Sequence, residues 1–165
     1  MLRLARLFAA LLALECLGLA PAFAAVTPTP AMLQTAKLGL QNFVQGTDAP
    51  AAVKTIYTAG SNGSLIFSIT AVNGDTVNSH AIYCYIFRSS VQYVFVTFNL
   101  PAGSGSAPGV PQVSALTPTI MPGMPLNADG NEFFYLQSGD TLQCTYTSAL
   151  ATGTNITLYS VGADF

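Results

Sequence analysis

Apolar and polar side chains alternate most regularly in the middle of the chain, over residues 64–72. Four apolar residues there occupy every second position: Leu65, Phe67, Ile69 and Ala71. A period of two is typical of a half-buried β-strand. The residues that follow, NGD at 73–75, favour a turn. The pattern therefore predicts a strand over residues 64–72.

Two runs rich in β-branched and aromatic residues follow, at 81–87 and 92–98, and Arg88, Ser89 and Ser90 join them. This arrangement predicts a β-hairpin. Both faces of the hairpin are apolar, so one can fill the core while the other needs a cover. The face that needs a cover, and the possible interface, is Tyr83, Tyr85 and Phe87. Either a second subunit or the chain's own Pro- and Gly-rich loop 101–131 could cover it.

Six further segments have the composition of strands, and no segment is convincingly helical. Residues 36–44 suit an edge strand better than a helix, and turn residues separate the other segments, which are 54–58, 110–116, 132–136, 141–148 and 155–161. Short strands with frequent turns predict an all-β fold, an antiparallel two-sheet sandwich of the jelly-roll type with about eight strands. One such domain would span residues 36–165, after an extended Pro-rich spacer at 26–35.

The first 25 residues have the layout of a secretory signal peptide. Arg3 and Arg6 precede an apolar run at residues 7–20, and an A-x-A cleavage site lies at 22–24. The apolar run is shorter than the about 20 residues that a membrane anchor needs. We therefore expect cleavage after Ala24 or Ala25, export to the periplasm or the medium, and no stable membrane anchor.

The rest of the chain carries few charges, with Lys37, Lys54 and Arg88 against six carboxylates. Nucleic-acid binding relies on clustered Lys and Arg, so we expect no nucleic-acid partner. Two cysteines remain after cleavage, Cys84 and Cys144, and each shares an inward strand face with apolar neighbours. They are either a disulfide, as an oxidising compartment favours, or two buried free thiols.

No catalytic, cofactor or metal site is expected, and hence no enzyme. His80 and Cys84 lie four apart on a predicted strand, about 13 Å from each other, which is too far to share a metal ion. His80 and Asp75 could be drawn as a triad with one of several serines, but no spacing selects the nucleophile, so a partly exposed histidine is expected. The oxygen-rich residues 127–132 lack calcium-loop spacing and predict a hydrogen-bonded turn.

Several short motifs occur in order along the domain. They are MPGMPLNADGNEFFYL at 121–136, GDTL at 139–142, GADF at 162–165 and, upstream, YTAGSNGS at 57–64. Together they resemble a family of small virion proteins of tailed phages and prophages. The resemblance implies a non-enzymatic β-sandwich protein of the phage head, of the decoration type, that forms a homo-oligomer or a capsid-like lattice.

The signal peptide departs from that family, since virion proteins normally assemble in the cytoplasm. Either a phage-type domain has gained an export signal, or translation starts at Met32 and the protein belongs to a virion. Amino-terminal sequencing separates the two, with a mature end at Ala25 or Val26 in the first case and near Met32 in the second. A different function is also open: an exported binding or adhesion module that uses loop 101–131.

Overall fold

The computed structural model describes residues 35–165, which contain nine β-strands and no α-helix. The predicted signal peptide, the spacer up to residue 34 and Met32 lie outside the described residues. Within residues 35–165 there is no helix of the length and apolarity needed to cross a membrane. The strands are β1 Thr35–Val44, β2 Lys54–Thr58, β3 Ser64–Asn73, β4 His80–Arg88, β5 Val91–Leu100, β6 Val113–Ser114, β7 Phe134–Leu136, β8 Thr141–Tyr146 and β9 Asn155–Asp164.

The strands form two antiparallel sheets. One has the order β1-β9-β3-β6, with β7 also paired to β3, and the other has the order β2-β8-β4-β5. Successive strands mostly switch from one sheet to the other, so sequence neighbours face each other across the sandwich while distant strands pair. This is the strand order of a jelly roll. The predicted fold class is thus confirmed, including the edge position of β1.

The core lies between the inner faces of the two sheets. Its fully buried side chains come from both sheets and include Phe43, Ile69, Ile82, Leu142, Ile156 and Leu158. On β9 they alternate with outward residues that include Thr157 and Tyr159, which directs one face inward, whereas on β4 the outward positions are apolar or aromatic as well. The core therefore forms where two apolar strand faces meet.

One edge strand of the first sheet is divided in two. Ser114 pairs with Thr70 and Phe134 pairs with Ile66, so β6 and β7 follow the same edge of β3 in the same direction. The residues between them leave the sheet, and Ile120, Met121 and Met124 from this excursion pack against the core. The sandwich therefore has nine strands where about eight were predicted, and both halves of the divided strand lie within segments predicted from the sequence.

The alternation along β3 does not hold over its whole length. A register shift lies between Ile66 and Ser68, where Phe67 is an extra residue opposite β9. Such a bulge moves the following side chains to the other face. Consequently Ile66 is buried while Leu65 and Phe67 are only partly buried, whereas Ile69 and Ala71 point inward. The prediction placed Leu65, Phe67, Ile69 and Ala71 on one inward face. It is wrong for Leu65 and Phe67, in the first half of the strand.

The hairpin between β4 and β5 turns through two residues, Ser89 and Ser90, both with positive φ, 49° and 66°. Positive φ at both positions is the geometry of a type I′ turn, which favours Asn-Gly. A side chain in this left-handed region of positive φ costs about 1 kcal/mol.

We expect Ser89→Asn with Ser90→Gly to raise the free energy of unfolding by about 1 kcal/mol, measured from the urea midpoint. Ser90→Ala keeps the Cβ atom and should give no gain; an equal gain in this control would contradict the explanation.

Candidate functional site

The predicted interface residues lie on the outer face of β4, a central strand of the four-stranded sheet. Tyr83, Tyr85 and Phe87 are all partly exposed. Loop 101–131 makes its backbone contacts with the other sheet and its connections, where Gly103 N–H donates to the Asp75 carbonyl at 2.8 Å and β6 pairs with β3. The aromatic stripe therefore keeps an accessible surface.

The neighbouring strand β5 adds the more exposed apolar side chains. Val94 lies opposite Tyr85 on the same outer face and is 67 % exposed. Tyr93 is 55 % exposed and, with Ile86 and Arg88, lines a cavity of about 430 Å³. The distal half of the hairpin thus presents apolar side chains on both of its faces. We call Tyr83, Tyr85, Phe87 and Val94 the hairpin outer face.

Arg88 is the one Lys or Arg of the hairpin strands, and it is paired. Its Nε donates to Asp140 Oδ1 at 2.7 Å, and its Nη2 donates to Oδ2. The Arg88 guanidinium holds the pKa of the Asp140 carboxyl below its ordinary value, and the Gln137 N–H acts in the same direction against burial. A second molecule at the hairpin outer face would therefore meet an aromatic and aliphatic surface, and the nearby Arg88 guanidinium is already paired with the Asp140 carboxylate.

A second apolar patch lies on the other sheet and was not singled out from the sequence. Leu38 and Leu40 on β1 are 63 % and 59 % exposed, and Leu38 pairs with Val161 on β9, which is 41 % exposed. The signal was present, since two leucines two apart in an edge strand share one face. The turn and strand pattern alone did not show that this face is the outer one.

Cys84 and Cys144 form a disulfide inside the core. They lie directly opposite each other on the adjacent antiparallel strands β4 and β8, with 4.1 Å between their Cα atoms, and both are fully buried. The short separation is that of a close cross-strand pair. Of the two alternatives left open by the sequence, the structure contains the bridge, so neither sulfur is a thiolate able to bind a metal.

His80 is buried at the start of β4, so the expectation of a partly exposed histidine is wrong. Its Nε2 lies 3.2 Å from Asp75 Oδ2, and its Nδ1 lies 2.7 Å from the Oγ of Ser148, an exposed residue just after β8. His80 is buried because Tyr146 packs edge-on against its ring at 6.2 Å and Asp75 satisfies its second nitrogen.

Asp75 is the centre of this network. Its Oδ1 accepts from the Val77 and Asn78 N–H groups, and its Oδ2 accepts from Ala151 N–H, all at 2.9 Å. Burial alone would raise the pKa of this carboxyl, but the N–H donors of Ala151, Asn78 and Val77 outweigh burial and hold the pKa well below its ordinary value. Asp75 is therefore a buried carboxylate that ties the β3–β4 connection to the β8–β9 connection.

The motifs that carry the phage resemblance form scaffold contacts. Asn127 Oδ1 accepts from the N–H groups of Asp129 and Asn131, which is the predicted hydrogen-bonded turn. At the other end of the set, Phe165 N–H donates to the Gly63 carbonyl. Among residues 35–165, no group of three or more His, Cys, Asp or Glu side chains is placed to hold a metal ion.

Comparison with known proteins identifies no family. No protein-family model matches the chain, and no curated protein matches it. Among solved structures it is similar to a chain of the cyanophage Pam1 capsid asymmetric unit, with 12 % identity over 85 % of this chain and 97 % of that chain and a TM-score of 0.42. It is also similar to a chain of the virus-like particle of the extra small virus of the giant freshwater prawn Macrobrachium rosenbergii, with 12 % identity, 85 % of each chain and a TM-score of 0.32. At these values neither likeness assigns a family or a role, and the phage-virion resemblance stays a prediction.

Proposed function

We propose that this protein is a non-catalytic structural building block that assembles with copies of itself through the hairpin outer face. The observation that supports it is the 67 % exposure of Val94 beside the partly exposed Tyr83, Tyr85 and Phe87. Interface cores are enriched in aromatic residues and depleted of charge, and this surface has both properties. The product would be a homo-oligomer or a lattice of the phage-head type that the motifs of residues 121–136 imply.

We also propose that the assembly works outside the cytoplasm. The Cys84–Cys144 bridge supports this location, because disulfides form and persist in oxidising compartments. The signal-peptide pattern of residues 1–25 points to the same compartment.

A charge placed in the middle of the hairpin outer face should disrupt the assembly. Val94→Glu puts a carboxylate opposite Tyr85, where association would have to bury it without a partner. We expect the dissociation constant to rise by about tenfold to a hundredfold, measured by sedimentation velocity over a range of concentrations. The unfolding midpoint should change little, because Val94 is exposed in the single subunit.

Leu40→Glu is the matched control, since Leu40 is 59 % exposed on the outer face of the other sheet. It should leave the assembly intact. Dissociation by Leu40→Glu with no effect of Val94→Glu would show that the first sheet carries the contact. A wild-type protein that stays monomeric at every concentration would contradict the proposed function itself.

A further inference from the structure

Ser148 combines an exposed position with a hydrogen bond to a buried base. Its Oγ lies 2.7 Å from His80 Nδ1, and the side chain of His80 has no solvent exposure. The two residues are 68 positions apart in the chain. They meet because β4 and β8 are paired and Ser148 continues the line of β8 beside the start of β4. The serine is therefore selected by strand pairing and not by any local motif.

The ionised carboxylate of Asp75 determines which ring nitrogen of His80 carries the hydrogen. An ionised carboxylate only accepts hydrogen bonds, so Nε2 is the donor toward Asp75 Oδ2. In the neutral imidazole, Nδ1 is then an acceptor facing the Ser148 hydroxyl. Asp75 cannot turn away, because the N–H groups of Val77, Asn78 and Ala151 hold both of its oxygens. The carboxylate thus fixes the orientation of the ring.

We infer that Ser148 is a nucleophile toward small activated acyl esters, with His80 as its general base and Asp75 as the positioning residue. A serine bonded to a base that a third group orients is the arrangement that activates a hydroxyl. The inference goes beyond the structural role proposed above and does not require repeated turnover. A single acylation of Ser148 would mark an exposed site on each subunit.

The chemical step involves only groups of this chain and the ester. Ser148 Oγ attacks the acyl carbon and forms the new C–O bond, while its hydrogen passes to His80 Nδ1. The tetrahedral intermediate then expels the alkoxide or phenolate, which takes that hydrogen from His80 and leaves as the alcohol or phenol. The products are the acyl-serine and the free alcohol, with no change in oxidation state.

The cavity beside this segment does not enclose the serine. Tyr146, Ala149 and Leu150 line it together with Asp48 and Pro50, at about 150 Å³, and neither Ser148 nor His80 belongs to its lining. Ser148 is exposed, so the ester would be attacked at the protein surface. Because this cavity does not hold the substrate, the reactivity depends on the leaving group, and the substrate class is activated esters. Phosphonylating reagents react in the same way, with a P–O bond formed to Ser148 while the P–F bond breaks and fluoride leaves.

The test uses the full chain and two probes, p-nitrophenyl acetate and a small ethyl fluorophosphonate, with the modified residue located by peptide mass spectrometry. Ser90 is the internal control, since it is an exposed serine without a base beside it in the hairpin turn. We expect Ser148 to be modified at least about a hundredfold faster than Ser90. Ser148→Ala should remove that modification, and Ser90→Ala should not affect it.

His80→Gln tests the base, provided that its unfolding midpoint shows a folded protein. We expect it to slow modification of Ser148 to the rate of Ser90. If His80→Gln does not fold, Ser148→Ala and the comparison of Ser148 with Ser90 in the wild type decide the matter. Equal rates at Ser148 and Ser90 in the folded wild type would overturn the inference, and the Ser148–His80 hydrogen bond would then have only a structural role. Neither outcome bears on self-assembly, which sedimentation measures separately.

Discussion

Replacing Asp75 by asparagine should lower the free energy of unfolding by about 3–5 kcal/mol, because each buried donor left without an acceptor costs about 1–3 kcal/mol and more than one donor would lose its partner. The amide cannot match the five donors around the carboxylate, which come from four residues: Val77, Asn78, His80 and Ala151. One of its oxygens would become an NH₂ group facing other donors. Urea denaturation monitored by tyrosine fluorescence measures the loss.

Asp129→Asn is the matched control, because Asp129 is exposed in the turn at residues 127–131. It should change the free energy of unfolding by less than about 0.5 kcal/mol. A similar small change for Asp75→Asn would contradict the central role of Asp75.

Asp75 also makes the free energy of unfolding depend on pH, and the sign of this dependence follows from its lowered pKa. Because the pKa of Asp75 is lowered in the folded state, the unfolded chain binds more protons in the acid range. The contribution of Asp75 is therefore fully present above its ordinary pKa of 3.8 and is lost as the pH falls below it. The wild type should lose more stability than Asp75→Asn on moving from pH 6 to acid.

Reduction of the Cys84–Cys144 disulfide should destabilise the protein by about 4 kcal/mol. The bridge closes a loop between residues 60 apart, and the chain-entropy relation for a loop of that length gives this value. Both cysteines are fully buried, so reduction needs prior opening of the β4–β8 pair, and the sample must be reduced in denaturant before refolding. The measurement compares urea midpoints of the same protein with and without a thiol reductant.

Cys84→Ala with Cys144→Ala removes the bridge without a reductant and should reproduce the loss, with a further small cost for the cavity. Equal midpoints for the oxidised and reduced wild type would show that the bridge does not constrain the unfolded chain.

Strand positions were predictable wherever alternation and turn residues agreed. The prediction for β2 coincides with the observed bounds, and that for β1 differs by one residue. The strand predicted over residues 110–116 is only two residues long, since Pro111 lacks an N–H and cannot extend the ladder. The bulge at Phe67 could not be predicted, because a bulge depends on the partner strand and not on local composition.

For the functional residues too, single-strand features could be predicted from the sequence, and features that depend on strand pairing could not. The inward direction of Cys84 and Cys144 followed from alternation, but their pairing required β4 to lie next to β8. The serine that meets His80 is 68 residues away, and its selection depends on that same pairing. Val94 is exposed because Phe95 is an extra residue of β5 between the partners of Cys84 and Tyr85, which turns Val94 to the outer face. Sequence periodicity describes single strands, whereas these features arise between strands.

The division of one edge strand into β6 and β7 makes the exposed turn at residues 128–130 a permissive insertion point. Each half keeps its own pairing with β3, so the sheet does not depend on the length of the excursion. Loop-closure entropy grows slowly, by only about 0.6 kcal/mol for each doubling of length. A foreign peptide grafted at the exposed Asp129–Gly130 step would spare the apolar anchors at Ile120, Met121 and Met124. If the subunits form a particle, this position offers a site for epitope display on every copy.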